Sequence, residues 1–303
     1  MSSLDSKFFK LLVYLAVTLL FGFIFSVLSF ALLSAISGNS FGEVSTMLNN
    51  LYIEQKITLT KVFLFLNSFG LFVLPPIIYC YILKQPILSF FKLNELKTIQ
   101  LLPVLFLLFV LLLPILNFTV EWNKLLELPK WLQKLEHWMR TAEDSAAIKT
   151  QALLKMNSYN DLIINVLLIG VLPAVGEELA FRGVLQQTLI GKNSNPHWGI
   201  WGAAFIFSFI HFQFFGFLPR LLLGAFFGYL FYWSKSLWLP ILGHFINNTS
   251  AVLIAFYLKE NGIEEKLERV GTTQETNYFL IVSLVLFSGL LYYFKKQCDR
   301  ILS

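Results

Sequence analysis

The chain has 303 residues, 56% of them hydrophobic and only 14% charged, with a net charge of +5 and a mean hydropathy of +0.68. A water-soluble domain carries about 25% charged residues, so this composition excludes one and points to an integral membrane protein. The positive charge is spread over loop ends rather than gathered in a patch, which reads as an orientation signal and excludes a nucleic-acid partner. Helices packed side by side in a bilayer make one bundle, so residues 1–303 read as a single membrane domain.

Lys7 and Lys10 precede an apolar run longer than the 7–15 residues or so of a signal-peptide core, and no small-residue cleavage site follows. That run is expected to be a first spanning helix. Crossing the hydrocarbon core takes about 20 apolar residues, and on that rule about eight helices are predicted, near 9–36, 59–84, 100–120, 161–190, 197–215, 217–234, 237–258 and 276–295. Pro75-Pro76 should kink the second, because backbone hydrogen bonds are lost there. The expected fold is all-α, a polytopic bundle of about eight transmembrane helices.

Lys84, Lys92, Lys97, Arg182, Lys192, Lys235, Lys295, Lys296 and Arg300 fall on one side with the N-terminus, which predicts cytoplasmic N- and C-termini. Cys80 and Cys298 lie near helix ends on that reducing side, where a structural disulfide is not expected. The opposite side takes the acidic loop with Glu260, Glu264, Glu265 and Glu268, and a long connection from Glu121 to Asn160. Within that connection Leu128, Trp131, Leu132, Leu135, Trp138 and Met139 recur at helical spacing behind Pro129. This predicts an amphipathic interfacial helix before the fourth span, serving as a surface anchor or as a lid.

Three polar clusters interrupt the apolar helices. In Gly176-Glu177-Glu178-Leu179-Ala180-Phe181-Arg182-Gly183, Glu178 and Arg182 stand four apart and share a helix face, where they can neutralise each other. Glu177 points about 100° away and is free for chemistry. Phe207 and His211 lie one turn apart, as do His244 and Asn248. His137 and His197 fall in a loop and at a helix mouth. Taken singly, such groups are as readily interhelical hydrogen bonds, but three clusters on three helices are how bundle sites are built. Ionisable groups in spans usually mark function.

Two chemistries are open. Glu177, assisted by His211, can act as general base on a water that attacks a carbonyl, with His244 and Asn248 donating to the oxyanion. Alternatively, Glu177, His211 and His244 are a ligand set for a divalent metal such as zinc. Measured from the expected helix ends, Glu177 and His211 miss each other by roughly 15 Å, so convergence is an expectation the fold must meet. Two further features are Gly224 and Gly228, at a spacing that lets helices approach, and Arg220, which either snorkels to the interface or meets a substrate carboxylate.

The ordered set Glu177, Glu178 and Arg182, then Phe207 and His211, then His244 and Asn248 resembles the CPBP or Abi family of intramembrane proteases. That family includes the CAAX prenyl endopeptidase known as the Ras-converting enzyme and lysostaphin-resistance-like proteins. The resemblance covers about residues 161–255, the expected catalytic core. It implies that Glu177 and His211 activate water, that His244 and Asn248 stabilise the oxyanion, and that Glu178, Arg182 and Phe207 support them. Metal dependence and metal-free glutamate chemistry both stay open for the family. The expected function is hydrolysis of a peptide bond in a membrane-associated protein or peptide. The rival readings are a non-catalytic member acting in immunity or partner binding, and a transporter using the buried carboxylates. The oligomeric state is not read from the sequence.

Overall fold

A computed structural model describes residues 6–49, 54–191, 195–258 and 263–303, and among these every regular element is a helix. Lys192 and Glu260, used above for orientation, lie outside the described residues, as do the side chains of Glu264, Glu265 and Glu268. The helices in chain order are α1 (Lys7–Ser37), the short α2 (Phe41–Asn49), α3 (Ile57–Ile82), α4 (Lys97–Lys124), α5 (Gln133–Leu153), α6 (Tyr159–Ile190), α7 (Pro196–Phe209), α8 (Phe217–Ser234), α9 (Trp238–Tyr257) and α10 (Asn277–Leu302). All eight predicted helices are therefore present. Six of them, α1, α3, α4, α6, α9 and α10, are long and apolar enough to cross a bilayer, which makes this a multi-pass membrane protein.

Helix α7 is shorter than its apolar run suggests. The predicted 197–215 helix stops at Phe209, and its 14 residues rise only about 21 Å against a core of about 30 Å. It stops because Phe212 takes a left-handed backbone conformation, φ 52°, which a right-handed helix cannot continue. The chain then turns and returns as α8.

Helix α8 is the most enclosed. Its Leu223, Phe226, Phe227 and Leu230 pack in one cluster with Leu105, Leu108 and Leu112 of α4 and Phe294 of α10. On another face its backbone meets α6 directly: the Gly224 carbonyl accepts from Arg182 Nη2 at 2.9 Å, and the Gly228 carbonyl from Gln186 Nε2 at 3.0 Å. A Cβ on Gly228 would lie 2.7 Å from Gln186 Oε1 and 2.8 Å from Ile200 Cγ2. The glycine pair thus serves close packing within the bundle. Gly228→Leu is expected to destabilise by about 1–3 kcal/mol or more through overpacking, seen as a lower melting temperature in detergent. Gly289→Leu is the matched control, since nothing lies within 4 Å of the position its Cβ would take.

The prolines of α3 widen the helix rather than break it. Phe69–Val73 forms a π-type turn, and Leu74, Pro75 and Pro76 open the next α-helical stretch, where a missing N–H costs least. The predicted interfacial helix is α5, preceded by the single turn Lys130–Leu132. None of its residues is buried, and Trp131 and Trp138 stand largely exposed, as suits side chains at headgroup depth. At the opposite face Lys7 Nζ donates to the carbonyls of Leu189 and Ile190, a cation set against the end of α6.

Candidate active site

Helix α6 carries the first cluster on an irregular backbone. Two π-type stretches, Val166–Val171 and Leu179–Gln186, flank the α-helical piece Leu172–Glu178. Wide turns of this kind recur at functional sites because they re-aim side chains locally. Glu177 and Glu178 sit at the junction. Glu178 is fully enclosed and its Oε1 accepts from Arg182 Nη1 at 2.6 Å; Arg182 is itself 1% exposed. The guanidinium is held further by the Gly224 carbonyl and lies 4.9 Å and 5.2 Å from the Phe207 and Phe227 ring centres. The predicted ion pair is present, buried and hydrogen-bonded on both sides.

The same Glu178 oxygen also reaches His244 of α9: Nδ1 stands 2.8 Å from Oε1. The ring stacks on Phe227, centroids 5.1 Å apart and 17° from parallel, and meets Phe207 edge-on at 6.2 Å. Glu178 thus joins Arg182 on one side to His244 on the other, a link across 66 residues that no sequence spacing signals. Glu177 keeps away from Arg182. Its Oε2 is 3.8 Å from His244 Nε2, and its side chain, 13% exposed, is the more accessible of the two carboxylates.

His211 joins through Phe207. Its Nδ1 donates to the Phe207 carbonyl at 2.7 Å and its ring lies 5.0 Å from the Phe207 ring. The rings of both histidines therefore contact Phe207, and the separation of roughly 15 Å expected from helix ends does not occur. The reason is the length of α6. Its 32 residues rise about 48 Å, well beyond the bilayer core, so depth counted from its first residue is misleading. Counted from the opposite face, Glu177 lies about 20 Å from Ile190 and His211 about 21 Å from His197. The two stand at one level.

Residues 159–250, which hold all of these groups, match the family model described as Rce1-like, type II CAAX prenyl endopeptidase Rce1-like. A curated relative, the uncharacterized protein YpbD of Bacillus subtilis (strain 168), is 31% identical over 86 residues, which are 27% of this chain and 41% of that protein. The chain thus spans less than half the length of the relative it matches. No solved structure matches the chain. The matched residues take in α6, α7, α8 and most of α9, leaving α1 to α5 and α10 outside them.

Hydrogen bonding indicates which ring nitrogens of these two histidines carry protons. A carbonyl and an ionised carboxylate only accept, so His211 and His244 each hold a proton on Nδ1. Both present Nε2 as a lone pair while neutral. Asn248 donates one amide hydrogen to the Ile169 carbonyl at 2.9 Å, and its Oδ1 accepts from Asn247, so one amide hydrogen remains for another acceptor. That Ile169 carbonyl lies in the first π-type stretch of α6.

Among the described residues no three His, Cys, Asp or Glu side chains come close enough to hold a metal ion, and Glu177, His211 and His244 as placed do not form such a group. Arg220 does not reach outward. Its guanidinium donates to the side chain of Gln213 at 2.7 Å and to the Gln213 carbonyl at 3.3 Å, within electrostatic range of Glu177.

Proposed function

We propose that this chain is an intramembrane endopeptidase that hydrolyses a peptide bond of a membrane-associated protein or peptide, as one membrane domain with its catalytic core at residues 161–255. The observation that carries the reading is the pairing of an accessible carboxylate, Glu177, with His244, whose Nε2 stands 3.8 Å from it. That gap is too long for a direct hydrogen bond. A water at about 2.8 Å from each atom fits beside it, giving one hydrogen to Glu177 and keeping a lone pair for a carbonyl carbon.

In this reading Glu177 takes a proton from the water as the oxygen adds to the scissile carbonyl, and returns it to the leaving nitrogen when the C–N bond breaks. His211, neutral and fixed by the Phe207 carbonyl, offers Nε2 as a second acceptor that orients the water. The developing oxyanion is met by the remaining amide hydrogen of Asn248, and by His244 as the imidazolium, already protonated before the water is split, whose Nε2–H then donates to it. Glu178 orients the His244 ring through the bond to Nδ1. Arg182 is the ion-pair partner of Glu178, and Phe207 spaces the two histidines. The lysine-rich loops favour cytoplasmic N- and C-termini.

The test is cleavage of a membrane-anchored reporter peptide by purified protein in liposomes, read by mass spectrometry. New N- and C-terminal fragments from the native protein, absent with Glu177→Gln, support the proposal. Intact reporter with both proteins across a broad peptide set would overturn it and favour a non-catalytic partner-binding role.

A further inference from the structure

The loop that follows His211 is held by residues outside the matched segment 159–250. Between Phe209 and Phe217 the chain has no helix of its own, and Phe212, directly after His211, takes the left-handed conformation. A non-glycine residue stays in that region only where its surroundings enforce it. At the base of the loop Ser208 Oγ donates to the Phe217 carbonyl at 2.7 Å.

The peptide bond joining Phe214 to Phe215 is gripped at both ends. Asn123, buried at the end of α4, donates Nδ2–H to the Phe214 carbonyl at 2.8 Å. Glu143 of α5 accepts the Phe215 N–H on Oε2 at 3.1 Å. Two side chains from two separate elements thus satisfy the donor and the acceptor of a single peptide unit. Helix α5 adds two ring contacts: Trp138 on Phe214 at 5.4 Å between centroids, and the Arg140 guanidinium 4.3 Å from the Phe215 ring centre. Arg140 is in turn steadied by Glu136, whose carboxyl is held below its usual range by the Leu128 N–H and by Arg140 itself.

The geometry points to Glu143 and Asn123 as positioning residues for His211, acting through the clamped Phe214–Phe215 peptide; this rests on the proposed hydrolytic site and adds to it a part lying outside residues 159–250. A loop in water satisfies its peptide groups with solvent and gains nothing from such a clamp. Here the clamp ties the turn carrying His211 to the interfacial helix, so α5 helps decide where Nε2 of His211 points. An anchor that only lay on the membrane would not need a carboxylate aimed at one backbone N–H.

The full-length protein, labelled with 15N-histidine in detergent micelles, tests this without any substrate. The His211 ring signals are identified by their loss in His211→Asn. In Glu143→Ala the His211 signals are expected to shift or broaden while those of His244 stay in place, and Glu143→Gln, which keeps an acceptor for the Phe215 N–H, restores the native pattern. Unmoved His211 signals in Glu143→Ala, or equal changes at His211 and His244, would overturn the inference. Hydrogen exchange at the Phe215 amide of the unsubstituted protein gives a reading independent of any variant: protection is expected, and exchange as fast as in an open loop contradicts the clamp. Neither readout depends on peptide cleavage, so the failure of the proposed activity and the failure of the clamp are told apart.

Discussion

Arg182→Ala is expected to leave little folded protein. Arg182 is almost completely enclosed, donates to Glu178 at 2.6 Å and to the Gly224 carbonyl at 2.9 Å, and lies against the rings of Phe207 and Phe227. Breaking a buried ion pair from one side costs roughly 3–5 kcal/mol, because the surviving charge is stranded. That is a large share of the 5–15 kcal/mol or so that holds a typical protein folded. The stranded group here is Glu178, which also anchors His244, so the damage spreads from α6 to α9. Arg182→Lys should fall between, since an ammonium cannot reproduce the two-directional guanidinium contact. Yield and melting temperature of detergent-purified variants check this. A native-like melt for Arg182→Ala would contradict the structural role assigned to the pair.

Glu177→Gln should do the reverse, keeping the fold and losing the chemistry. No ion pair joins the Glu177 carboxylate to Arg182, and the basic nitrogen beside it, His244 Nε2, stands at 3.8 Å. An amide of the same shape removes a charge from a poorly hydrated place, so the variant should melt at or above the native temperature, the usual trade between stability and activity. A general base contributes about 10²- to 10⁴-fold to a rate, and reporter cleavage should fall by that order. Equal loss of folded protein in Glu177→Gln and Arg182→Ala would undo the division between the two glutamates. Solute flux in proteoliposomes that Glu177→Gln abolishes, with no peptide cleaved by either protein, would favour a transporter.

What was legible in the sequence was local. Apolar run length placed eight helices, because spanning a bilayer sets a minimum number of residues whatever the helix packs against. Spacing of four put Glu178 and Arg182 on one face and freed Glu177, since both facts follow from one helix and its pitch. The three motifs included Arg182, His211 and His244, whose side chains meet Phe207. Tertiary structure decided the rest. The end of α7 at Phe209 depends on a left-handed residue held by its surroundings, and its apolar sequence carries no stop signal. The shared level of Glu177 and His211 follows from how far α6 extends past the bilayer core. The bond from Glu178 to His244, the Gly228 carbonyl beneath Gln186, and the grip of Asn123 and Glu143 on one peptide unit all join segments far apart in the chain. Such contacts are set by the register between helices, which the wide turns of α6 alter residue by residue, and hydrophobic periodicity within any one helix carries no record of it.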